Sequence, residues 1–245
     1  MKTEFDAASF RQALTHVMPA VRKATTLPIL THIRVRLGGI DASNNSMQIT
    51  APVDGKGDPI NVCVPADRIK AAASVAGEKI VFHQEREGLY VIKAGKHRFT
   101  TPTLPGQDFP IIDEVEPQAT FQSSTLGAAI GRVAFASAKS DIRPYFNGVT
   151  VECENGTIEA TAMSSGMLAT VAAGHHHQPF QAIIPNEAVE VLVKVGDATW
   201  MISRSMVVVE TDDARIVAKT EKLPANWSAI SSPRAQATNC FPQSR

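Results

Sequence analysis

The sequence has few of the features that would tie it to redox or covalent chemistry. Its three cysteines, Cys63, Cys153 and Cys240, lie far apart and form no C-x-x-C pair. A scattered, odd-numbered set argues against a disulfide framework and fits a reducing compartment. Net charge is also missing, because 24 Lys and Arg balance 24 Asp and Glu. That speaks against a strongly basic protein gripping nucleic acid, and against an acidic tail protein. It leaves room for basic residues gathered on one face. No apolar run approaches the roughly 18 residues of a membrane helix. The opening MKTEFDAASF lacks the apolar stretch of a secretory signal. The expectation is a soluble, cytoplasmic protein with no membrane partner.

Catalytic signatures are absent too. There is no P-loop, G-x-G-x-x-G, G-x-S-x-G or H-E-x-x-H. His175-His176-His177 is the one conspicuous cluster. Consecutive side chains on a regular element do not converge on one ion, so these residues are expected in a solvated loop. Asp212-Asp213 reads as a hairpin turn. Cys63 and Cys153, in apolar strand contexts, read as small core residues. These readings imply no enzyme activity, no cofactor and no metal.

What the chain does have is a core and a repeat. Its 245 residues are 44% hydrophobic, enough for one or two folded domains. V-P-A-D-R-I at 64–69 resembles I-P-N-E-A-V at 184–189, and Leu104-Pro105 recurs as Leu223-Pro224. Ile49-Thr50-Ala51 matches Ala160-Thr161-Ala162, and Pro28-Ile29-Leu30 with Ile33-Arg34-Val35 matches Pro144-Tyr145-Phe146 with Val149-Thr150-Val151. Order is kept across all four landmarks, as in a duplicated unit.

Each copy carries two helical patterns. Phe10, Leu14, Val17 and Val21 form an apolar stripe at helical spacing, as do Leu126, Ile130 and Val133. Asp6 is the candidate cap of the first, and Ser123, Ser124 or Thr125 of the second. Pro65 and Pro185 introduce shorter helices over 66–76 and 186–195, with Asp67 and Glu187 near their positive ends. Strand alternation appears over 31–37, with Ile33, Val35 and Leu37 on one face and Arg34 and Arg36 on the other. Further strands are expected at 79–83, 89–93 and 97–101, then at 149–153, 157–162, 167–173, 180–184, 199–203, 206–210 and 215–219. Many short strands with two helices per copy indicate an α+β fold with antiparallel sheet. The expected division is 1–118, 119–231 and a frayed tail at 232–245.

Several stretches taken together resemble a known family. They are Thr26-Leu27-Pro28-Ile29-Leu30; Arg98-Phe99-Thr100 running into Thr103-Leu104-Pro105 and Asp108-Phe109-Pro110; Asp141-Ile142-Arg143 with Tyr145 and Phe146-Asn147-Gly148; and Ala182-Ile183-Ile184-Pro185. In order, and over residues 1 to about 230, the chain resembles the bacterial DNA polymerase III beta subunit, the replicative sliding clamp. The resemblance implies a DNA clamp fold, a ring of repeated domains with helices around a central hole and sheets at the rim. Duplex DNA would be encircled without sequence preference, and a DNA polymerase and a clamp loader would be partners.

Beta-type clamps have three such domains and close as dimers, whereas this sequence supplies two. Three two-domain chains would restore six, so the expectation is a homotrimer. The alternative is a clamp-derived adaptor that binds loader or polymerase without forming a ring. DNA-facing candidates are Arg22, Lys23, Arg68, Lys70, Arg132, Lys139 and Lys194. With Arg11, they set eight basic residues on the helices and their ends against Asp6, Asp67, Glu187 and Glu190. The resemblance adds Arg143 and Tyr145. It also implies a partner-peptide pocket at Phe146, Met163, Ser165, Gly166, Met167, Leu168, Pro224 and Ala229. The family's T-D-G-H-R-L-like run is here Met163-Ser164-Ser165-Gly166-Met167-Leu168, so its His and Arg are gone.

Overall fold

A computed structural model describes residues 1–223; Pro224, Ala229, Cys240 and the expected tail lie outside the described residues. Two successive runs of elements share one order, strand–helix–four strands–helix–three strands, with two short extra strands in the first. The first run is β1 (Lys2–Asp6), α1 (Ala7–Val17), β2 (His32–Arg36), β3 (Gly39–Ser43), β4 (Met47–Pro52), β5 (Gly55–Gly57), β6 (Asn61–Pro65), α2 (Ala66–Val75), β7 (Lys79–Arg86), β8 (Leu89–Ala94), β9 (His97–Pro102) and β10 (Leu104–Pro105). The second is β11 (Ala119–Ser123), α3 (Leu126–Val133), β12 (Gly148–Glu154), β13 (Thr157–Met163), β14 (Leu168–His175), β15 (Phe180–Pro185), α4 (Asn186–Leu192), β16 (Ala198–Ile202), β17 (Met206–Glu210) and β18 (Arg215–Lys219).

The α+β expectation holds, with antiparallel pairing throughout. Three sheets form, in the orders β5-β1-β7-β8-β9, β10-β6-β2-β3-β4-β18-β17-β16-β11 and β14-β13-β12-β15. The nine-stranded sheet joins the two runs. β4 pairs with β18, placing Thr50 opposite Arg215, Ile49 opposite Ile216, Gln48 opposite Val217 and Met47 opposite Ala218.

Helix boundaries follow local chemistry. The Asp6 carboxylate accepts the Ser9 N–H at 2.7 Å and caps α1. At α3 it is Ser123 Oγ, out of the three candidates, that accepts the Leu126 N–H at 3.1 Å. Met18-Pro19-Ala20 tightens into a 3-10 turn, so Val21 falls outside the helical stripe that the spacing predicted for it. α1 packs on α2, α3 on α4, and Arg11 of α1 donates to the Ala76 carbonyl just past α2. α3 and α4 approach closely at Gly127, where a Cβ would stand 2.4 Å from the Val195 carbonyl oxygen.

The apolar stripes of all four helices share one core with the inner faces of the sheets, centred on Phe5, Phe10, Phe82 and Trp200. Leu37 departs from its predicted face: the strand ends at Arg36, and Leu37 is exposed in the following turn. The landmark joining Ile49-Thr50-Ala51 to Ala160-Thr161-Ala162 is also corrected. Topology makes β3 the counterpart of β13, and β4 that of β14. Two Ala/Ile-Thr-Ala strands look alike because neighbouring strands of a sheet share one alternation.

Candidate nucleic-acid and partner surfaces

The seam between the runs brings charged residues together. Arg22 follows the 3-10 turn after α1 and forms an ion pair with Glu187 at the start of α4, 3.2 Å apart. Asn44 donates to the same carboxylate at 3.2 Å, and Gln12 of α1 donates to Asp213 at 2.9 Å. The Asp212-Asp213 turn therefore also links the two runs, which sequence spacing did not reveal. Since α2 packs on α1 and α3 on α4, the pairing across the seam orders the helices as α2–α1–α4–α3 in one row. A cleft of about 380 Å³ opens at this seam, lined among others by Pro19, Arg22, Lys23, Met47, Glu187 and Glu190.

The predicted cations divide into two groups. Lys23, Arg68, Lys70, Arg132, Lys139 and Lys194 are exposed. Arg68 and Lys70 lie on α2 and Arg132 on α3, whereas Lys194 falls just beyond α4. Arg22 and Arg143 instead carry partners. The Arg143 guanidinium meets both Asp141 oxygens at 2.9 and 3.0 Å and lies 4.1 Å from the centre of the Phe146 ring. Hydrogen bonds from the Arg143 side chain and backbone hold the Asp141 carboxyl at about 2, far below its ordinary value. Tyr145 stacks edge-on against Phe146, with ring centres 4.8 Å apart.

The candidate peptide-pocket residues also split. Phe146 and Met163 are buried in a small cluster with Ile183, flanked by Ala138, Tyr145 and Leu223. Ile183, Ala138 and Leu223 were not among the sequence candidates. Ile183 is found by alternation, since Ala182 and Ile184 face the main core and leave it on the opposite face. Ser165, Gly166, Met167 and Leu168 are exposed around the β13–β14 turn. Pro224 and Ala229 lie outside the described residues.

The His cluster lies at the end of β14 and in the connection to β15, with His175 and His177 exposed as expected of a loop, but His176 departs from that expectation. His176 packs between Phe121 and Phe180, with ring centres 5.2 and 6.1 Å away, while His175 bonds the Gly156 carbonyl. Among the described residues, no three His, Cys, Asp or Glu side chains gather into a metal-binding group.

A buried ionic group was missed altogether. Asp41 on β3 is fully buried and accepts from Arg34 at 2.9 Å, Arg36 at 2.8 Å and Thr50 at 2.7 Å. Burial pushes its carboxyl up, but these hydrogen bonds outweigh it and hold it below the usual carboxylate range. Phe109 covers Arg34, its ring centre 4.7 Å away. Alternation had placed Arg34 and Arg36 correctly on the outer face, but nothing local shows that the segment after β10 lies over them.

That segment, residues 106–118, joins opposite edges of the nine-stranded sheet. Eight strand spacings of about 4.8 Å make a span of about 38 Å, close to the limit of so short a chain. After a 3-10 turn at Gly106–Asp108 it therefore runs extended across the outer face. Ile112 donates its N–H to Gln48 and packs on Met206, Val208 and Val217 over the seam.

Residues 120–223 match the family described as DNA polymerase III beta subunit, central domain. The beta sliding clamp of Pseudomonas aeruginosa is 27% identical over 191 residues, covering 73% of this chain and 52% of that protein. Over about three quarters of its length the chain is similar to the bacterial beta sliding clamps. The beta sliding clamp of Halalkalibacterium halodurans is 29% identical over 215 residues, 78% of this chain and 56% of its own. The chain thus spans about half the length of these clamp relatives. A DNA polymerase sliding clamp structure from Bacillus subtilis superposes with a TM-score of 0.86 at 20% identity, over 100% of this chain and 68% of that one. The DNA polymerase III beta subunit structure from Pseudomonas aeruginosa gives 0.83 at 23% identity, over 94% and 68%. At these identities the structures establish the shared clamp fold.

Proposed function

We propose that the chain is a sliding clamp, a processivity factor without an active site of its own that encircles duplex DNA and tethers a DNA polymerase. The observation that carries this reading is the seam. Two clamp-like repeats are welded into one nine-stranded sheet, with their helices in a single row on the other side. A repeated wall with helices along one side suits enclosure better than local grip, and zero net charge accords with topological retention. Lys23, Arg68, Lys70, Arg132, Lys139 and Lys194 are the exposed cations that would screen phosphates, without reading sequence. Three copies would supply the six repeats of the ring. A clamp loader would open it, and the Phe146–Met163–Ile183 patch with the 163–168 turn would receive polymerase peptides.

The test is retention on DNA. The full chain, with a loader and ATP, is placed on nicked circular DNA and passed over a sizing column, before and after the circle is cut. Retention on the circle and loss from the linear form is the expected result. Equal retention on both, or none on either, overturns the ring in favour of an adaptor.

A further inference from the structure

Among the cations expected on the helix side, Arg22 is tied across the seam. It leaves the 3-10 turn after α1 with its backbone N–H donated to the Leu30 carbonyl at 2.9 Å. Its guanidinium reaches α4 of the second run as a fork, 3.2 and 3.3 Å from the two Glu187 oxygens. Glu187 has a second support. Asn44, in the turn between β3 and β4, is buried. Its side-chain oxygen accepts the N–H groups of Ser46 at 3.0 Å and Met47 at 2.7 Å, which fixes the amide and aims its NH2 at Glu187, 3.2 Å away. The carboxylate thus keeps its seat with or without Arg22. The Arg22 and Glu187 side chains are 40% and 50% exposed, so the pair is weak enough for another anion to displace it.

The cleft beside the pair has room for such an anion. Lys23 and Glu190 line it together with Arg22 and Glu187, so two cations there balance two carboxylates. The pair belongs to the seam and not to the repeat. Ala138 donates its N–H to Phe146 as Arg22 does to Leu30, so the counterpart of Arg22 in the second run is an alanine. The counterpart of Glu187 is Asp67, from V-P-A-D-R-I, and it is exposed on α2.

We propose that Glu187 is a built-in counter-ion that occupies Arg22 whenever phosphate does not, so that duplex passing the seam gains no salt-sensitive hold there. The proposal rests on the clamp reading and names a control on its DNA contact. An exposed lysine that meets phosphate releases a cation condensed on the DNA, and each such contact adds about 0.9 to the slope of log affinity against log salt. At Arg22 the exchange is even. Phosphate takes the guanidinium, and the Glu187 carboxylate, still seated on Asn44, takes up a cation from solution. The number of free ions does not change, and the negative charge left in place repels the backbone that displaced it. A contact so easily replaced suits a ring that stays around a duplex while moving along it.

The test is the binding of a fluorescent duplex by the full chain, followed by anisotropy over a range of KCl concentrations. Glu187→Gln keeps the length of the side chain and an acceptor for Asn44 while removing the charge. It should steepen the slope by about one unit. Adding Arg22→Gln should return the slope to the parent's value, because the gain belongs to Arg22. Asp67→Asn, the same loss of charge at the equivalent place, should leave the slope unchanged. Melting curves separate the structural role: a pair that only braced the seam would lower the melting temperature on loss and leave the slope alone. An unchanged slope in Glu187→Gln, a gain that survives Arg22→Gln, an equal gain in Asp67→Asn, or no binding by parent and Glu187→Gln alike overturns the proposal. Retention on circular DNA beside an unchanged slope leaves the clamp reading standing and removes the counter-ion. A steeper slope without retention does the reverse.

Discussion

Ile49 on β4 and Ile216 on β18 stand opposite each other, both buried, one from each run of the chain. This contact lies inside a ladder that turns two repeats into one sheet. Ile49→Ala and Ile216→Ala should each cost about 2–5 kcal/mol of stability. Because the two side chains share one interface, the double variant should depart from additivity by about 0.5–3 kcal/mol. Urea denaturation of the four proteins measures both. Strict additivity would mean the seam does not couple the runs.

Asp41 predicts an acid response. Its folded-state pKa lies below the ordinary carboxylate value, so its contribution is complete above that value and is lost as pH falls through the folded one. Asp41→Ala leaves Arg34 buried without its counter-charge and should cost about 3–5 kcal/mol at pH 7. Asp41→Asn should flatten the fall of the urea midpoint below pH 5 or so. An acid limb as steep as that of the parent would assign the sensitivity to other carboxyls.

The thiols should be inert in the folded protein. Burial pushes Cys63 up to about 12, and Cys153 is raised by the same cause. In Cys240→Ser protein at pH 8, an aromatic disulfide reagent should label neither until the chain is unfolded. Labelling of the native protein within minutes would contradict the buried positions.

Arg143 offers a gain-of-function test of the DNA surface. Its charge is neutralised by Asp141, and Asp141→Asn keeps an acceptor while removing the anion. If phosphate passes near Arg143, the slope of log affinity against log salt should steepen by about one unit. An unchanged slope places Arg143 away from DNA.

Reversing Arg68, Lys70, Arg132 and Lys139 together should do the opposite. Up to about four phosphate contacts are lost, so the slope should fall by three or four units, and retention on circles should become less salt-sensitive as it weakens. Far-ultraviolet dichroism on the same variant checks that the fold survives. Retention at low salt equal to the parent's would remove these residues from the DNA-facing side.

Much of the local architecture was legible in the residues. The strands at 149–153, 157–162, 206–210 and 215–219 and all four helices fall where alternation and helical spacing place them. A buried face imposes a period of two or 3.6 that nearby residues carry. β1, β3, β4, β5, β10 and β11 were missed: Lys2–Asp6 is mostly polar, Gly39–Ser43 is buried at every position and does not alternate, Gly55–Gly57 is fully exposed, and Leu104–Pro105 is too short to show a period. Of the candidate sites, the exposed cations were legible as residue types. The capture of Arg22 by Glu187 and of Asp41 by Arg34, Arg36 and Thr50 depended on neighbours.

The sequence by itself determined the repeat, the faces of its helices and strands, and the resemblance to sliding clamps. Each of these is written in residues close together or in copies of one pattern. Only the tertiary structure decided that β4 meets β18, that residues 106–118 cross the outer face of the seam, and that β9 and β14 are left at open edges. Alternation tells a strand which face to bury but not which strand to lie beside. Edge pairing is made by backbone groups that every residue carries alike, so the choice is settled by the packing of distant parts.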